Sequence, residues 1–556
     1  MAKATDNARA IFGRAVTLAQ AGERPAAIAL FESLIGSDAP QVQVLSALVR
    51  LNLDNQAFIA AADHMMTLAR LVPAPAQLLA DAADIFSRAE DFDKADQAFG
   101  ALHAALPGYA TGYFNHAYML RSAHRFPEAL AMYDKALQHQ IDSPEEVWLN
   151  KAVILSDHLR DDEAAAVCLE TALQLNPNYL PALLNRANLY EEMSDRENAK
   201  ALYERALDIA PGDPTAVARL LNLSKTGEAD AALVAHAEKL AAAPHMKPRD
   251  VSSLRFALGK ASDASGEYET AFQHYTAANK AAKELGPAYD RERTELFFAD
   301  LRDLFSPAWF ESMEPASEAA PVFICGMFRS GSTVTEQVIA AHPAATPGGE
   351  LDYFVALANR ALAPFPAAVR EKTQDEFRQM AKQYLALLEE RFPGAGLVTD
   401  KRPDNFLYIG LIKTLFPKAR FVHTTRHALD NCLSVYFLEL ADSMAYAKDL
   451  MDTAHYYVQQ ARLMEYWKHL FPADIFTMHY DDFIARPREQ AEELLTFLDL
   501  PWHEDCLQFH KLTNTVKTVS YWQVREPLYT RSSGRHRHYA EHLAAVTAYL
   551  KKEGRL

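Results

Sequence analysis

Small and aromatic residues recur along the first half of the chain at a fixed long interval. In 180–213, YLPALLNRANLYEEMSDRENAKALYERALDIAPG, they fall at Ala187, Tyr190, Ala199, Tyr203 and Ala206, ahead of Pro211. The same frame stands 34 residues earlier, at Ala165, Leu169, Ala172 and Pro177. Nearer the N-terminus Ala27, Phe31 and Leu34 are followed at that interval by Ala61, Met65 and Leu68. Then come Ala95, Phe99 and Leu102, and then Ala129, Tyr133 and Ala136. Pro73 and Pro107 close two units, and a two-residue slip near Ser143-Pro144 separates the fourth from the fifth. After 213 the phase fades. It returns in GKASDASGEYETAFQHYTAANKA, with Gly259, Ala271, Tyr275 and Ala278 in frame. The pattern predicts two antiparallel helices per unit, with small residues where they cross.

This spacing resembles the tetratricopeptide repeat (TPR). About seven units run from roughly 8 to 285, one of them degenerate. A unit this small cannot bury a core alone, so the units are expected to stack into a right-handed all-α superhelix with a concave face. Such a face takes a peptide or another protein. The framework is the same whatever its groove binds.

From 322 the pattern changes. VFICG (322–326), LVTD (397–400), ARFVHTT (419–425) and DIFTMHY (474–480) are short apolar runs of the kind that make buried parallel strands. Helical stretches alternate with them at 331–342, 352–362, 371–392, 405–416, 428–440, 450–470 and 487–498. The alternation predicts an α/β, P-loop-like domain whose parallel sheet is covered on both faces. Ligands of such sheets bind beyond the C-terminal ends of the strands. The Pro- and Ser-bearing stretch 307–321 is the expected junction, with a repeat array and connecting helices over 1–315 and the α/β domain over 316–556.

Charge separates the halves. Residues 1–300 carry 28 Lys and Arg against 41 Asp and Glu, and residues 301–556 carry 28 against 32. The N-terminal half therefore repels nucleic acid, and an anion site needs a local basic cluster in the C-terminal half. Cys168, Cys325, Cys432 and Cys506 lie far apart, which argues against a disulfide framework or structural zinc. No signal peptide or membrane span is read, so the expected home is the cytoplasm.

The candidate chemistry begins after VFICG. Gly326, Gly331, Ser332 and Thr333 nearly match G-x-x-x-x-G-K-[ST], but Ser332 stands in the lysine slot and Arg329 lies three positions before it. A glycine-flanked turn into a helix aims backbone N–H groups at an anion, and Ser330, Ser332 and Thr333 add hydroxyls. Without the lysine a γ-phosphate loses its main charge partner, while Arg329 still offers a fork to a shorter phosphate group. In TTRHALDNCLSVYF, Arg426 at a strand exit and Ser434 two helical turns on can clasp a second phosphate.

Together these motifs resemble the sulfotransferases that use 3′-phosphoadenosine-5′-phosphosulfate (PAPS). The resemblance implies that the first loop holds the 5′-phosphosulfate, and that Arg426 and Ser434 hold the 3′-phosphate. Finer features over about 320–540 resemble the tyrosylprotein sulfotransferase branch. AAHPAATPGGE implies Glu350 as base, TDKRPDNF implies Lys401 as catalytic lysine, SYWQVREP implies Ser520 as catalytic serine, and HYDDF supplies a matching Tyr480. Where that branch has a lysine before the last Pro, this chain has Glu526, with Arg525 beside it. The branch's animal members are membrane-anchored in the secretory pathway and carry no TPR array.

On this reading an acceptor hydroxyl attacks sulfur in line, Glu350 takes its proton, and Lys401, Arg329 and Ser520 share the developing charge. No metal is required. TRSSGRHRHY is expected to close over the 3′-phosphate through Arg535, with Arg531 and Arg537 nearby, and Phe328, Tyr521 and Trp522 are candidates to stack on adenine or line the acceptor cleft. The implied acceptor is a peptide or protein tyrosine, although a glycan, lipid or small phenol would serve the same residues. Two other readings stand beside it. One is a P-loop kinase or NTPase, disfavoured by Ser332 and by the lack of an evident Walker-B aspartate. The other is a TPR scaffold carrying an inactive sulfotransferase domain.

Overall fold

The computed structural model describes residues 2–224, 230–512 and 533–556. The chain forms two compact units, Met1–Leu189 and Tyr190–Leu556.

The first unit is a run of helix pairs, among them Ala76–Arg88 with Phe92–Ala105 and Ala110–Ser122 with Phe126–Gln138. The in-phase alanines Ala27, Ala61, Ala95, Ala129 and Ala165 have no exposed surface. A larger side chain at these crossings would overpack them. Several second helices are capped by aspartates: Asp91 accepts from Lys94 N–H and Asp161 from Ala164 N–H. Each turn within a pair takes one left-handed residue, at Gly22, Gln56, Glu90 and His124, then at Arg160. The step to Arg160 is two residues longer than the others, so the slip read in the sequence falls in the backbone too.

The second unit opens with more repeat helices. Pro214–Leu223 and Ala231–Ala241 occupy the stretch where the phase fades, and Pro248–Ala264 with Tyr268–Ala282 form the last pair. The sheet follows. Among the described residues its five parallel strands are β1 (Val322–Gly326), β2 (Ala345–Pro347), β3 (Leu397–Lys401), β4 (Arg420–Thr425) and β5 (Ile475–His479), in the order β2-β3-β1-β4-β5. Ile324 pairs with Lys401 on one side, and Gly326 with Thr424 on the other. Alternate residues face opposite ways: Phe323 and Cys325 join Phe421, Tyr384 and Trp467, whereas Val322 and Ile324 join Val422, Met478 and Leu494. Sequence reading missed β2, which is three residues long and ends in proline, a residue suited to an edge strand.

The last repeat pair shares a core with this α/β region. Phe256, Ala271, Tyr275 and Ala278 cluster with Leu433, Phe437, Val458, Val546 and Leu550. The Tyr275 and Phe437 rings stack at 3.8 Å, and Asn279 donates to the Tyr436 carbonyl at 2.8 Å. Gly259 makes room for Tyr275, because a Cβ there would meet its ring at 2.9 Å. Arg249–Asp442, Lys283–Asp449 and Arg291–Asp452 ion pairs rim the contact. Among the described residues no helix is long and apolar enough to cross a membrane.

Candidate active site

The order β2-β3-β1-β4-β5 makes the chain cross from one side of β1 to the other between β3 and β4. The crevice at the C-terminal ends of β3, β1 and β4 is therefore the switch point where α/β sheets bind ligands. The phosphate loop leaves β1 there and enters the helix Ser332–Ala340 with Gly331 at its N-cap. Glycine is required twice. Gly326 has φ 153° and a Cβ on it would lie 2.3 Å from the Thr424 carbonyl oxygen. Gly331 has φ 105°, and a Cβ there would meet the Tyr480 ring at 2.8 Å. Arg329 is also left-handed, at φ 69°.

Eight of the nine predicted nucleotide ligands lie in this loop or against it. Arg329 Nε donates to Ser434 Oγ at 3.2 Å. Arg426 reaches towards the Arg329 carbonyl oxygen, at 3.5 Å, and its guanidinium lies 5.2 Å from the centre of the Tyr480 ring. Tyr480 packs on Gly331. Ser332 and Thr333 are buried in the first turn of the helix. The Ser330 hydroxyl is held inside the loop, donating to the Met327 carbonyl at 2.6 Å and lying 2.7 Å from Thr424 Oγ1. A cavity of about 170 Å³ adjoins Ser330 and Arg426 and is also lined by Met327, Met464, His423, Asn431 and Lys468.

The second cluster stands on the other side of β1. Lys401 Nζ donates to Glu350 Oε1 at 2.7 Å; the lysine side chain is 1% exposed and the glutamate 32%. Backbone bonds hold the pair in register: Gly348 N–H donates to Thr399 O, and Lys401 N–H to Gly349 O at 2.8 Å. Glu336, which the sequence reading passed over, holds the same loop from below. Its carboxyl accepts from Gly349 N–H at 3.0 Å and from Thr399 Oγ1 at 3.3 Å. Burial raises its pKa. The available sign was a charged residue between Thr335 and Val338-Ile339, on the buried face of the helix. Asp400, beside Lys401, is pushed up to about 7 by burial, although Asn405 and Tyr384 donate to it.

Arg535 lies elsewhere. Its guanidinium pairs with Asp263 of the last repeat at 2.7 Å and sits over the Phe437 ring, while Tyr539 donates to the same aspartate. The structure thus turns Arg535 onto the repeat helices. Its neighbours do approach the strand ends: Ser533 donates to Asp481, which also accepts from His427 N–H at 3.0 Å. Burial opposes the charge on Asp481, but these hydrogen bonds and Arg426 keep its pKa below the ordinary carboxylate value. Ser520, Tyr521, Trp522, Arg525, Glu526 and Arg531 lie outside the described residues. Phe328 is half-buried beside Met327 and Val435.

Residues 321–504 match the sulfotransferase family, and 145–179 and 180–213 each match the tetratricopeptide repeat. An uncharacterized protein of Aquifex aeolicus (strain VF5) is 29% identical over 434 residues, 75% of this chain and 56% of the relative. The chain thus spans little more than half of that relative's length. A putative protein-tyrosine sulfotransferase of Caenorhabditis briggsae is 22% identical over 34% of this chain and 69% of its own. Among solved structures, the sulfotransferase domain from the Synechococcus PCC 7002 olefin synthase matches with a TM-score of 0.31 and 18% identity, over 41% of this chain and 89% of that one.

Proposed function

The chain joins tetratricopeptide repeats to a sulfotransferase-family domain, and we propose that this domain, beginning near 316, moves the sulfuryl group of PAPS onto an acceptor hydroxyl. The observation that carries the reading is the Lys401–Glu350 pair at the end of β3, one strand from a phosphate loop that gathers Arg329, Arg426, Ser434 and Tyr480. A base and an ammonium on one side of β1, and two guanidiniums on the other, meet the separate needs of acceptor and donor.

In the proposed step the acceptor oxygen attacks sulfur in line with the bond to the 5′-phosphate. That S–O bond breaks, and 3′-phosphoadenosine-5′-phosphate (PAP) leaves with its electron pair. Glu350 takes the acceptor proton. Lys401 steadies the leaving oxygen, and in turning from the glutamate it frees the carboxylate to act as base. Arg329 and Ser520 share the charge on the sulfuryl oxygens. The loop N–H groups, with Ser330, Gly331, Ser332 and Thr333, hold the 5′ side, while Arg426 and Ser434 hold the 3′-phosphate and Tyr480 covers the loop. As in phosphoryl transfer, positioning and electrostatics do most of the work, and no step needs a metal.

A peptide tyrosine is the proposed acceptor. Its support is the order of the motifs and the name of the nematode relative. The repeats are proposed to recruit that substrate or a partner protein. The four cysteines are all buried and unpaired, as suits a reducing cytoplasm.

Calorimetric titration of the full chain with PAP in the absence of Mg²⁺, beside ATP, tests the donor. PAP is expected to bind tightly and ATP weakly; preference for ATP with Mg²⁺ would overturn the reading. Glu350→Gln is expected to lower transfer from PAPS by about 10²–10⁴-fold with PAP affinity kept, and unchanged activity would remove Glu350 as base. Arg426→Ala is expected to weaken PAP by about 1.5–3 kcal/mol, the range of a charged hydrogen bond, and to leave adenosine-5′-phosphosulfate nearly unaffected.

A further inference from the structure

Beside the phosphate loop, three side chains the transfer does not use face one another. His427 follows Arg426 at the turn into the helix Ala428–Tyr436, Asp430 lies in that helix's first turn, and His536 comes from the short helix Arg535–Tyr539. One ligand atom from each falls within 4.8 Å of the others. His536 Nδ1 is 3.1 Å from Asp430 Oδ1, and His427 Nδ1 is 4.0 Å from Oδ2. Both Nδ1 atoms are shielded from solvent, and among the described residues neither has a hydrogen-bond partner. Asp430 is 2% exposed, and its two oxygens accept backbone N–H groups of Gly534 and His536, each at 2.7 Å. The segment that fixes the carboxylate also delivers the second imidazole.

We propose that His427, Asp430 and His536 form a binding site for one divalent transition-metal ion, which ties the segment 533–536 to the helix entrance next to Arg426. Two imidazole nitrogens and a carboxylate suit Zn²⁺ or a neighbouring transition ion and leave coordination positions for water, whereas Mg²⁺ demands oxygen ligands. The hydrogen-bonded carboxylate is the kind of fixed ligand that outer contacts orient. The two rings stack at 4.3 Å with planes 11° apart, so one ring must turn for both nitrogens to point at a single ion. His427, the more exposed ring at 39%, is the one that turns to complete the site. The ion takes no part in sulfuryl transfer.

The test uses the full chain, stripped with chelator and titrated with Zn²⁺, with Co²⁺ as spectroscopic probe. One Zn²⁺ per chain is expected, with visible d–d bands for Co²⁺ and no competition from Mg²⁺. His536→Phe keeps an aromatic ring for the stack and removes the ligand; it is expected to weaken Zn²⁺ by at least roughly tenfold. His536→Cys restores a donor and is expected to regain Co²⁺ with a thiolate charge-transfer band. His103→Ala, in the other unit, controls for adventitious histidine binding and is expected to leave Zn²⁺ affinity unchanged. Absence of stoichiometric Zn²⁺, or equal affinity in the wild type and His536→Phe, would overturn the site. If Asp430→Asn fails to fold, the Phe and Cys variants still decide the question.

Discussion

The repeat Ala110–Ser122 with Phe126–Gln138 and the repeat Pro248–Ala264 with Tyr268–Ala282 have the same inside and different outsides. Both bury an alanine, a tyrosine and an alanine in the second helix, at Ala129, Tyr133 and Ala136 and at Ala271, Tyr275 and Ala278. In the first repeat Tyr118 stays 51% exposed. In the last, Phe272 stacks on His542, Tyr268 on His538 and Tyr275 on Phe437, and Asp263 holds Arg535. The framework that makes a repeat therefore says nothing of what the repeat touches. One outer face carries exposed aromatic surface; the other backs the helix that bears Ser434.

Truncation is the hardest way to break this comparison. A chain lacking 1–189 is expected to keep its PAP affinity, because the sheet and the last repeat pair stay together in 190–556. A chain lacking 1–300 is expected to lose PAP binding and cooperative unfolding, since it removes Phe256, Tyr275 and Ala278 from a shared core. Calorimetry on both decides it, and equal PAP binding by the shorter chain would show that the last repeat is only an attachment.

The two buried tyrosines give a finer contrast. Tyr133→Ala and Tyr275→Ala each empty a site with no more than 2% exposure, and each is expected to cost about 3–5 kcal/mol in denaturant unfolding. Only Tyr275→Ala is expected to weaken PAP as well, because Tyr275 packs on Phe437 at the end of the Ser434 helix. A similar effect on PAP from Tyr133→Ala would remove the distinction.

Acidity pulls the two regions in opposite directions. Asp400 has a folded pKa near 7 against an ordinary 3.8. Between those values the unfolded chain has released a proton that the native state keeps, so stability falls as pH rises from about 4 to 7. His103 is lowered to about 4 by burial and then by His116, from an ordinary 6.5. Here the unfolded chain takes up the proton first, so stability is present above 6.5 and is lost as pH falls towards 4. Asp400→Asn is expected to gain on the wild type by on the order of 3 kcal/mol between pH 4 and 7. Exchange protection of the helices Phe92–Ala105 and Ala110–Ser122 is expected to fall over the same interval in the acid direction, and to do so less in His103→Phe.

How much of this was legible depends on whether a residue acts through its own type or through what lies across from it. The 34-residue frame could be read because each crossing demands a small residue of its own chain neighbourhood. The phosphate loop could be read because Gly326 and Gly331 answer to backbone geometry. Glu350 and Lys401 are 51 residues apart, and it took a resemblance rather than any local pattern to name them together. Glu336 was hidden because its work is to hold Gly349, which no spacing announces. Arg535 shows the same from the other side: its basic loop suggests an anion, and the partner the structure gives it, Asp263, lies 272 residues away on a repeat helix. The β2 strand could not be seen because three residues carry no periodicity.

The smallest test lies in the turns. Glu90 and Gly266 occupy the same place in the two kinds of repeat, two residues before the second helix, with φ of 58° and 81°. Side chains beyond the backbone play no part at the glycine, since a Cβ at Gly266 would meet nothing within 4 Å. Gly266→Ala is therefore expected to cost about 1 kcal/mol through the left-handed backbone alone. Glu90→Gly is expected to gain roughly 0.5 kcal/mol, because relief of the same strain is partly offset by a more flexible unfolded chain. If both shifts appear in chemical denaturation with PAP affinity unchanged, the turn is a property of the framework that the free and docked repeats share. A loss of PAP binding in Gly266→Ala would instead mean that the adjoining Asp263, and the Arg535 it holds, feel the turn directly.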